Sequence, residues 1–171
     1  MRIYCRYNSP IGDIILTGEN NYLTGLYFDN QKLTPDFIQP DYEEGLLPVF
    51  DETKKWLDIY FSGSEPTKDP PVKLSGSKFQ LDVWGLLQSI PYGQTVSYGD
   101  IAKKLSEYYG IEKMSAQAVG MAVGHNPVSI IIPCHRVIGS DGSLTGYGGG
   151  IERKIFLLRL EGKTVVNNIV I

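Results

Sequence analysis

The feature that most constrains this chain is a break in its character near residue 76. The stretch "SGSEPTKDPPVKLSG", residues 62–76, is rich in Pro, Gly and Ser and has no hydrophobic periodicity, which is typical of a linker. Strand-like patterns precede it and helix-like patterns follow it. We therefore predict two domains, residues 1–76 including the linker and residues 77–171, in an α+β architecture.

The N-terminal segment predicts an antiparallel meander followed by a helix. Three short runs rich in β-forming residues are separated by turn residues at Pro10–Gly12 and Glu19–Asn21; they are "RIYCRYN", "DIILTG" and "YLTGLYF". Residues 29–47 are polar and contain Pro, so we expect a loop or partial helix there. Apolar residues then recur at helical spacing in "PVFDETKKWLDIYFSG", with Pro48 suited to the helix start and Gly63 to its end.

The segment after the linker predicts four helices. Ser77 and Ser115 are candidate N-caps of the first and third, "SKFQLDVWGLLQSI" and "SAQAVGMAVG". The second helix, "SYGDIAKKLSEYYG", precedes the third across a short turn region, which suggests a helix-turn-helix unit. The fourth spans Ile151 to Gly162, and the tail after it is apolar enough to pack against the rest of the domain.

The composition bears on the cellular compartment of the protein and on its binding partner. No apolar run approaches the roughly 20 residues that span a bilayer, the N-terminus lacks the apolar core of a secretory signal, and there are only two cysteines. We expect a cytoplasmic protein without membrane association. Residues 1–77 carry 7 basic and 12 acidic side chains (−5), and residues 78–171 carry 9 and 7 (+2), which sum to the net −3. A basic half could face a polyanion, although an ordinary solvated surface explains so small an imbalance better.

Cys134, in "IPCHRVIG", has three competing interpretations. A zinc ligand would need about four nitrogen or sulfur partners, yet the chain offers two cysteines and two histidines, with Cys5 distant and His125 nine residues upstream. We therefore predict no metal site. An inert buried cysteine is the ordinary case, and it is the interpretation that we adopt for Cys5.

The surroundings of Cys134 favour a reactive thiol. A thiol pKa falls beside histidine, arginine or a helix N-terminus, and Pro133 is suited to the first helical position, which would place Cys134 at such a terminus. His135 is the nearest general base, but adjacent residues point apart in regular structure, so an irregular turn or a bridging water is needed. Glu161 could orient the imidazole and complete a Cys–His–acid relay.

The motif and its flanks resemble a known family. "IPCHRVIG", preceded by "GHNP" and followed by "GYGGG" and "LLRLEG", resembles the O6-alkylguanine-DNA alkyltransferases, or methylated-DNA–protein-cysteine methyltransferases, and the likeness covers residues 78–162. It implies an N-terminal ribonuclease H-like α/β roll with a small antiparallel sheet and a C-terminal helical domain with a helix-turn-helix. It also implies a monomer without a cofactor that repairs double-stranded DNA. The alkyl group of O6-alkylguanine, and of O4-alkylthymine, would pass irreversibly and stoichiometrically to an internal cysteine.

The resemblance also implies catalytic roles by position. Cys134 would be the alkyl acceptor, His135 would take the thiol proton through a water, and Glu161 would hold His135. Asn126 would tie the helix-turn-helix to the cysteine, and Tyr98 would donate a hydrogen bond to a base flipped out of the duplex and help rotate its phosphate. Without the resemblance, the last two would be a turn asparagine and a packing tyrosine.

Pocket and DNA contacts are implied in the same way. The Val137 backbone would recognise the base, Tyr147 would form an aromatic wall, and the Gly148 N–H would face the guanine oxygen. The third helix would enter the minor groove, where base-sequence readout is poor. The implied DNA contacts are Ser97, Gln117, Ala118 and Gly120. Gln117 departs from the family pattern, since many members have an arginine there, and "EYYGIEKM" looks like an insertion before it.

Three alternatives remain open. A non-catalytic alkylated-DNA binder on the same scaffold would lack the cysteine, so the presence of Cys134 argues against it. A cysteine hydrolase using Cys134 and His135 would turn over repeatedly. A helix-turn-helix regulator would need neither residue.

Overall fold

In the computed structural model, which describes residues 1–31 and 41–171, the chain divides into two units. These are Met1–Ser75, built on a sheet, and Gly76–Ile171, which is mainly helical. The predicted α+β architecture is confirmed. Within the described residues, no helix is both long and apolar enough to cross a membrane.

The first unit begins with the predicted meander. Strands β1 (Arg2–Ser9), β2 (Gly12–Glu19) and β3 (Tyr22–Phe28) pair antiparallel in sequence order. The turn between β2 and β3 has only two residues, and both Asn20 and Asn21 adopt left-handed backbone angles, with φ of 50° and 62°. Such two-residue turns match the right-handed twist of the strands that they join, and asparagine tolerates the conformation well.

A fourth strand was missed by the sequence analysis. Strand β4 (Tyr42–Glu44) pairs parallel with β1, so the sheet order is β3-β2-β1-β4. The expectation of a loop or partial helix over residues 29–47 is therefore wrong for residues 42–44, whereas residues 29–31 and 45–47 form turn or irregular structure as expected. Three residues carry too little pattern to predict a strand, whose formation depends on pairing with the distant β1. The rest of that expectation, over residues 32–40, lies outside the described residues.

Helix α1 (Pro48–Phe61) covers one face of this sheet and confirms the predicted helix. Pro48 occupies its first turn. Backbone N–H groups there have no hydrogen-bond acceptor within the helix, so the N–H that proline lacks costs no helical hydrogen bond. Gly63 lies just beyond its end with φ of 89°, a conformation that glycine adopts without strain. The core between helix and sheet consists of fully buried apolar side chains, among them Ile14, Leu16, Leu26, Phe28, Val49, Phe50, Leu57 and Tyr60.

Three of the predicted helices pack together in the second unit. They are α2 (Lys78–Gln88), α3 (Tyr98–Tyr109) and α4 (Ala116–Gly124). Ser77 and Ser115 cap α2 and α4, since each side-chain oxygen accepts a backbone N–H from the first turn of its helix. The capping predictions are confirmed.

Helices α3 and α4 form the helix-turn-helix. The Ser97 side chain accepts from the Asp100 N–H while the Asp100 carboxylate accepts from the Ser97 N–H, which fixes the start of α3. Gly110, with φ of 67°, ends it. Trp84 of α2 donates its indole N–H to the Ala122 carbonyl at 2.8 Å, which anchors α4 to the rest of the unit.

The fourth helix of this unit, α5, spans Ile151–Leu160 and ends two residues before the predicted Gly162. The apolar tail folds back as a hairpin of β7 (Val165–Val166) and β8 (Ile169–Val170). The tail therefore packs against its own unit as expected. A small apolar cluster forms beneath it from Ile138, Leu144, Leu158 and Val165.

A two-residue parallel pairing brings the helix-turn-helix next to the motif around Cys134. Strand β5 (Val96–Ser97) precedes α3, and β6 (Val137–Ile138) follows the cysteine motif. Val96 pairs with Val137 and Ser97 with Ile138. The first residue of α3 is thereby placed beside the segment that contains the cysteine.

Candidate active site

Cys134 begins a single turn of 3-10 helix, Cys134–Arg136, and is almost completely buried. Pro133, with φ of −81° and ψ of 64°, lies before this turn rather than at its first position. The Cys134 N–H donates to the Ile132 carbonyl at 2.8 Å, so Pro133 is the centre of an inverse γ-turn. The prediction that Pro133 occupies the first helical position is therefore wrong, and the helix that Cys134 begins is a three-residue 3-10 turn, which makes no substantial dipole.

The expected lowering of the Cys134 pKa is also wrong in this structure. Burial raises the pKa of the thiol, and this outweighs the hydrogen bond from Asn126 and the positive charge of Lys154, which both lower it. A buried thiolate costs more than a solvated one because the protein interior solvates charge poorly. Cys134 is thus a protonated thiol that needs a base before it can act as a nucleophile.

The base next to Cys134 is held by a carboxylate. His135 and Glu161 are both buried, and Nε2 of His135 donates to Oε2 of Glu161 at 2.5 Å. This bond assigns the hydrogen to Nε2, which leaves Nδ1 as the basic nitrogen of the ring. Burial lowers the pKa of His135, although Glu161 acts in the opposite direction. The histidine is therefore neutral near pH 7 and chemically able to accept a proton.

Glu161 accepts three hydrogen bonds, which explains how a buried carboxylate stays ionised. Besides His135, its Oε1 accepts from Nε of Arg136 at 2.8 Å and from the Gly93 N–H at 2.9 Å. Burial alone would raise the pKa of Glu161, but the hydrogen bonds and charges of His135 and Arg136 lower it well below its usual range. Glu161 itself caps the C-terminal end of α5.

Asn126 organises the loop that leads into the cysteine. Its Nδ2 donates to the Ile132 carbonyl at 2.8 Å, and its Oδ1 accepts from the Val128 N–H at 3.0 Å. Within this loop Ile130 has φ of 70°, a strained conformation for a β-branched residue that costs about 1–3 kcal/mol. Asn126 directly follows α4 and its C-cap, so the same side chain links the helix-turn-helix to the segment before Cys134.

Tyr98 and Val137 lie close to this centre. Tyr98 is the first residue of α3, is half-buried, and has its ring 6.0 Å from Nζ of Lys154. Its ring also approaches Gly120 of α4, where an added Cβ would meet ring atoms at 3.9 Å. Val137 directly follows the cysteine turn and is fully buried, with its carbonyl facing Lys154.

Tyr147 and Gly148 belong to the glycine-rich loop before α5. The hydroxyl of Tyr147 is buried although the residue as a whole is half-buried. Burial, and then the charge of Cys134, raise the pKa of Tyr147 well above its usual value, so the phenol stays protonated. Hydrogen bonds with Ser129 and Cys134 also act on this phenol. Gly148 is exposed at the loop surface.

Three of the predicted DNA-contact residues lie on α4 away from its buried side, and the fourth lies at the start of α3. Gln117 is exposed, and Ala118 and Gly120 are half-buried on α4. Ser97 is half-buried at the start of α3, where its side chain is engaged in capping. The opposite side of α4 is buried and consists of Val119, Ala122 and Val123. The described residues contain no group of three or more His, Cys, Asp or Glu side chains that could hold a metal ion.

Comparison with known proteins connects this geometry to a family. Residues 3–74 match the family model of the 6-O-methylguanine DNA methyltransferase ribonuclease-like domain, and residues 78–163 match that of the same family's DNA binding domain. The chain belongs to the 6-O-methylguanine-DNA methyltransferase family. The ribonuclease-like α/β unit and the helical unit that the sequence predicted are those of this family.

Individual relatives agree with this assignment. A methylated-DNA–protein-cysteine methyltransferase of Mycobacterium leprae is 42% identical over 98% of this chain and 97% of its own length. One from Methanosarcina acetivorans is 40% identical over 93% and 97%. The crystal structure of Mycobacterium tuberculosis OGT in complex with DNA is 43% identical, covers 93% of this chain and 92% of that chain, and superimposes with a TM-score of 0.82.

One residue of this methyltransferase site was missed by the sequence analysis. Lys154 of α5 is fully buried, and its Nζ donates to the carbonyls of Val137 at 2.6 Å and Gly146 at 3.1 Å. Burial lowers its pKa to about 8. A signal was present in the sequence: Lys154 shares one helix face with Leu157, Leu158 and Glu161, at the i, i+3, i+4 and i+7 spacing of a buried stripe.

We predict that replacing Lys154 by methionine slows the alkylation of Cys134 below pH 8, where Lys154 carries its proton, because the cation that stabilises the thiolate is lost. The measurement is the pH dependence of thiol alkylation by a small haloacetamide, in a Cys5→Ser background so that a single thiol reacts. In the parent, this stabilisation should fade as the pH rises through about 8, where Lys154 loses its proton. Lys104→Met, on the exposed side of α3, is the matched control. An unchanged rate of Cys134 alkylation below pH 8 in Lys154→Met would contradict the assignment.

Proposed function

We propose that this family member repairs DNA by direct transfer of the alkyl group of O6-alkylguanine, and of O4-alkylthymine, to Cys134. The observation that carries the assignment is the buried thiol whose adjacent residue, His135, donates to the Glu161 carboxylate at 2.5 Å. A protonated thiol, a neutral base and a fixed anion are the three parts that thiol activation needs.

The proposed reaction proceeds by proton removal and displacement. Nδ1 of His135 takes the Cys134 proton through a water, and Glu161 stabilises the imidazolium that forms. The thiolate attacks the alkyl carbon, so that an S–C bond forms as the C–O6 bond breaks. The electron pair of the broken bond stays with guanine, which takes up one proton and so balances the proton lost by the thiol.

In this reaction each protein molecule reacts only once, because the product on Cys134 is a thioether. A thioether is not hydrolysed by water under ordinary conditions, so the alkylated cysteine is not regenerated. The protein is consumed one molecule per lesion. A cysteine hydrolase would instead pass through a thioester that water cleaves, and it would turn over.

We assign the base-binding roles to the residues around Cys134. Tyr98 donates a hydrogen bond to the extrahelical base and helps rotate its phosphate, and the Val137 backbone recognises the base edge. Tyr147 forms one wall, and the Gly148 N–H faces the guanine oxygen. Asn126 positions the loop before Cys134, and its two backbone hydrogen bonds around a strained residue support that role.

We further propose that α4 enters the minor groove of double-stranded DNA. Its outer side is made mostly of small residues, which permit a close approach to sugar and phosphate, and Ser97, Gln117, Ala118 and Gly120 make the contacts. The target base must leave the stack, at a cost of a few kcal/mol. We propose that the protein acts as a cytoplasmic monomer, with residues 77–171 binding DNA and transferring the alkyl group while residues 1–76 form the ribonuclease-like domain.

The first prediction concerns the acceptor. Incubation with an oligonucleotide duplex that contains O6-methylguanine should add one methyl group per protein, located on Cys134 by intact and peptide mass measurements. Cys134→Ala should abolish transfer because no other described thiol adjoins a base, and Cys5→Ser is the matched control that should react normally. Methylation that persists in Cys134→Ala, or repeated turnover by the parent, would overturn the proposal.

The second prediction concerns Gln117. A flipped base leaves a hole in the stack, and glutamine fills it with less reach and no charge compared with arginine. Gln117→Ala should slow repair of duplex DNA while scarcely changing the reaction with free O6-benzylguanine, which needs no flipping. Gln117→Arg should match or exceed the parent on duplex. If Gln117→Ala repairs duplex lesions at the parental rate, another side chain occupies the gap.

A further inference from the structure

Arg136 is a buried cation that contacts the relay but has no part in the scheme above. It is only 8% exposed. Its Nε donates to Oε1 of Glu161 at 2.8 Å, its NH1 donates to the Ile90 carbonyl at 2.8 Å, and its guanidinium lies 5.7 Å from the centre of the Tyr92 ring. The sequence motif by itself indicates nothing for it beyond a structural ion pair.

In the relay by itself, the negative charge of Glu161 would favour the protonated form of His135, which cannot act as a base. A buried carboxylate in direct contact with a histidine favours the imidazolium, since an opposite charge at this distance stabilises the charged form. An imidazolium has no lone pair with which to accept the thiol proton. If His135 and Glu161 were alone, the anion that orients the base would also tend to disable it.

Arg136 lies where its positive charge counteracts this effect of Glu161 on His135. It binds the Glu161 oxygen that His135 does not use, so that Oε1 faces a permanent cation and Oε2 faces the imidazole. We propose that Arg136 is a positioning residue that keeps His135 neutral before the reaction: it fixes the Glu161 carboxylate for the imidazole and offsets the carboxylate's negative charge. This inference rests on the proposed function, because neutrality matters only if His135 takes the Cys134 proton.

The other charged groups around His135 are consistent with this role. In the part of the chain that the structure describes, the groups acting on its charge are Glu161 and Lys154 from α5 and Arg136 from its own turn. Burial lowers the pKa of His135 most, Glu161 raises it, and the two cations lower it. Of these cations, only Arg136 contacts the carboxylate, since Nζ of Lys154 donates to the carbonyls of Val137 and Gly146.

The geometry also explains why residue 136 is an arginine rather than a lysine. A guanidinium directs two N–H groups in fixed directions and remains charged at all relevant pH values, whereas an ammonium is a single point on a flexible stem. Here Nε reaches Glu161 while NH1 reaches the Ile90 carbonyl. The second bond, with the ring of Tyr92 alongside, prevents the guanidinium from turning away from the carboxylate.

The test is a histidine titration followed by NMR of the ring signals. The chain contains only His125 and His135, so a His125→Gln variant assigns both signals. In the parent, His135 should be neutral at pH 7. In Arg136→Gln its titration midpoint should move to higher pH, and Arg136→Lys, which keeps the charge, should recover part of the change. Arg159→Gln is the control, since Arg159 binds the Val165 carbonyl instead.

Transfer kinetics give the second readout, with free O6-benzylguanine as substrate. The ratio of the rate at pH 8 to the rate at pH 6 should increase in Arg136→Gln, by at most about tenfold for each unit by which the His135 pKa rises. A protonated His135 in the parent at pH 7, or an unchanged titration in Arg136→Gln with a rate loss equal at every pH, would overturn the inference. The first result needs no variant of Arg136, so it stands even if Arg136→Gln does not fold.

These outcomes remain separate from failure of the proposed function. If the parent gains no methyl group from O6-methylguanine DNA, the alkyl-transfer assignment fails whatever the histidine titration shows. If transfer occurs but His135 titrates at the same pH in Arg136→Gln as in the parent, only the positioning role of Arg136 fails.

Discussion

The buried Glu161 carboxylate is the interaction on which the rest of the site depends. It joins three segments that are far apart in sequence: the turn at Gly93, the cysteine turn through His135 and Arg136, and the end of α5. Removing one partner of such a buried pair costs about 3–5 kcal/mol, since the other charge is left uncompensated. The same bonds that orient the base therefore also hold the cysteine turn against α5.

The electrostatics of the site favour a thiol that is stored protonated and activated only when needed. Burial outweighs the influences that would ionise Cys134, which protects a single-use nucleophile from unspecific alkylation and oxidation, because the thiolate is the reactive form. In the proposed reaction, Lys154 and Asn126 stabilise the thiolate once His135 has taken the proton. The strained backbone at Ile130 shows that the loop before Cys134 is held in position rather than relaxed.

Local features of this protein were predictable from sequence, and features that depend on distant partners were not. The meander, α1 and the serine caps of α2 and α4 follow from alternation, helical spacing and capping chemistry, which act over a few residues. Strand β4 and the β5–β6 pairing involve two or three residues each and form only beside a distant strand. Pro133 fits either a helix start or an inverse γ-turn, and the choice depends on the bond from Cys134 to Ile132.

In the candidate site, too, the features that depend on contacts between distant residues were not predictable from local sequence. The contact between His135 and Glu161 spans 26 residues, so no local pattern predicts it; the pair was proposed from the chemistry of a relay and from the family resemblance. Lys154 was missed because lysine is ordinarily a surface residue, and its burial depends on the carbonyls of Val137 and Gly146, which its helix meets only in the folded unit. The position of Arg136 was not predictable for a similar reason, since its sequence neighbours do not reveal the carboxylate that it binds.

The central claim is that His135 and Glu161 act as one unit on Cys134, and a double-mutant cycle on the single-turnover transfer rate tests it most directly. Residues that act as a unit give strongly non-additive losses. His135→Ala should be strongly slowed, and the double variant His135→Ala/Glu161→Gln should be hardly slower than His135→Ala alone, because without the imidazole the carboxylate has nothing to orient. Losses that multiply in the double variant would show that the two residues work separately and would contradict the account.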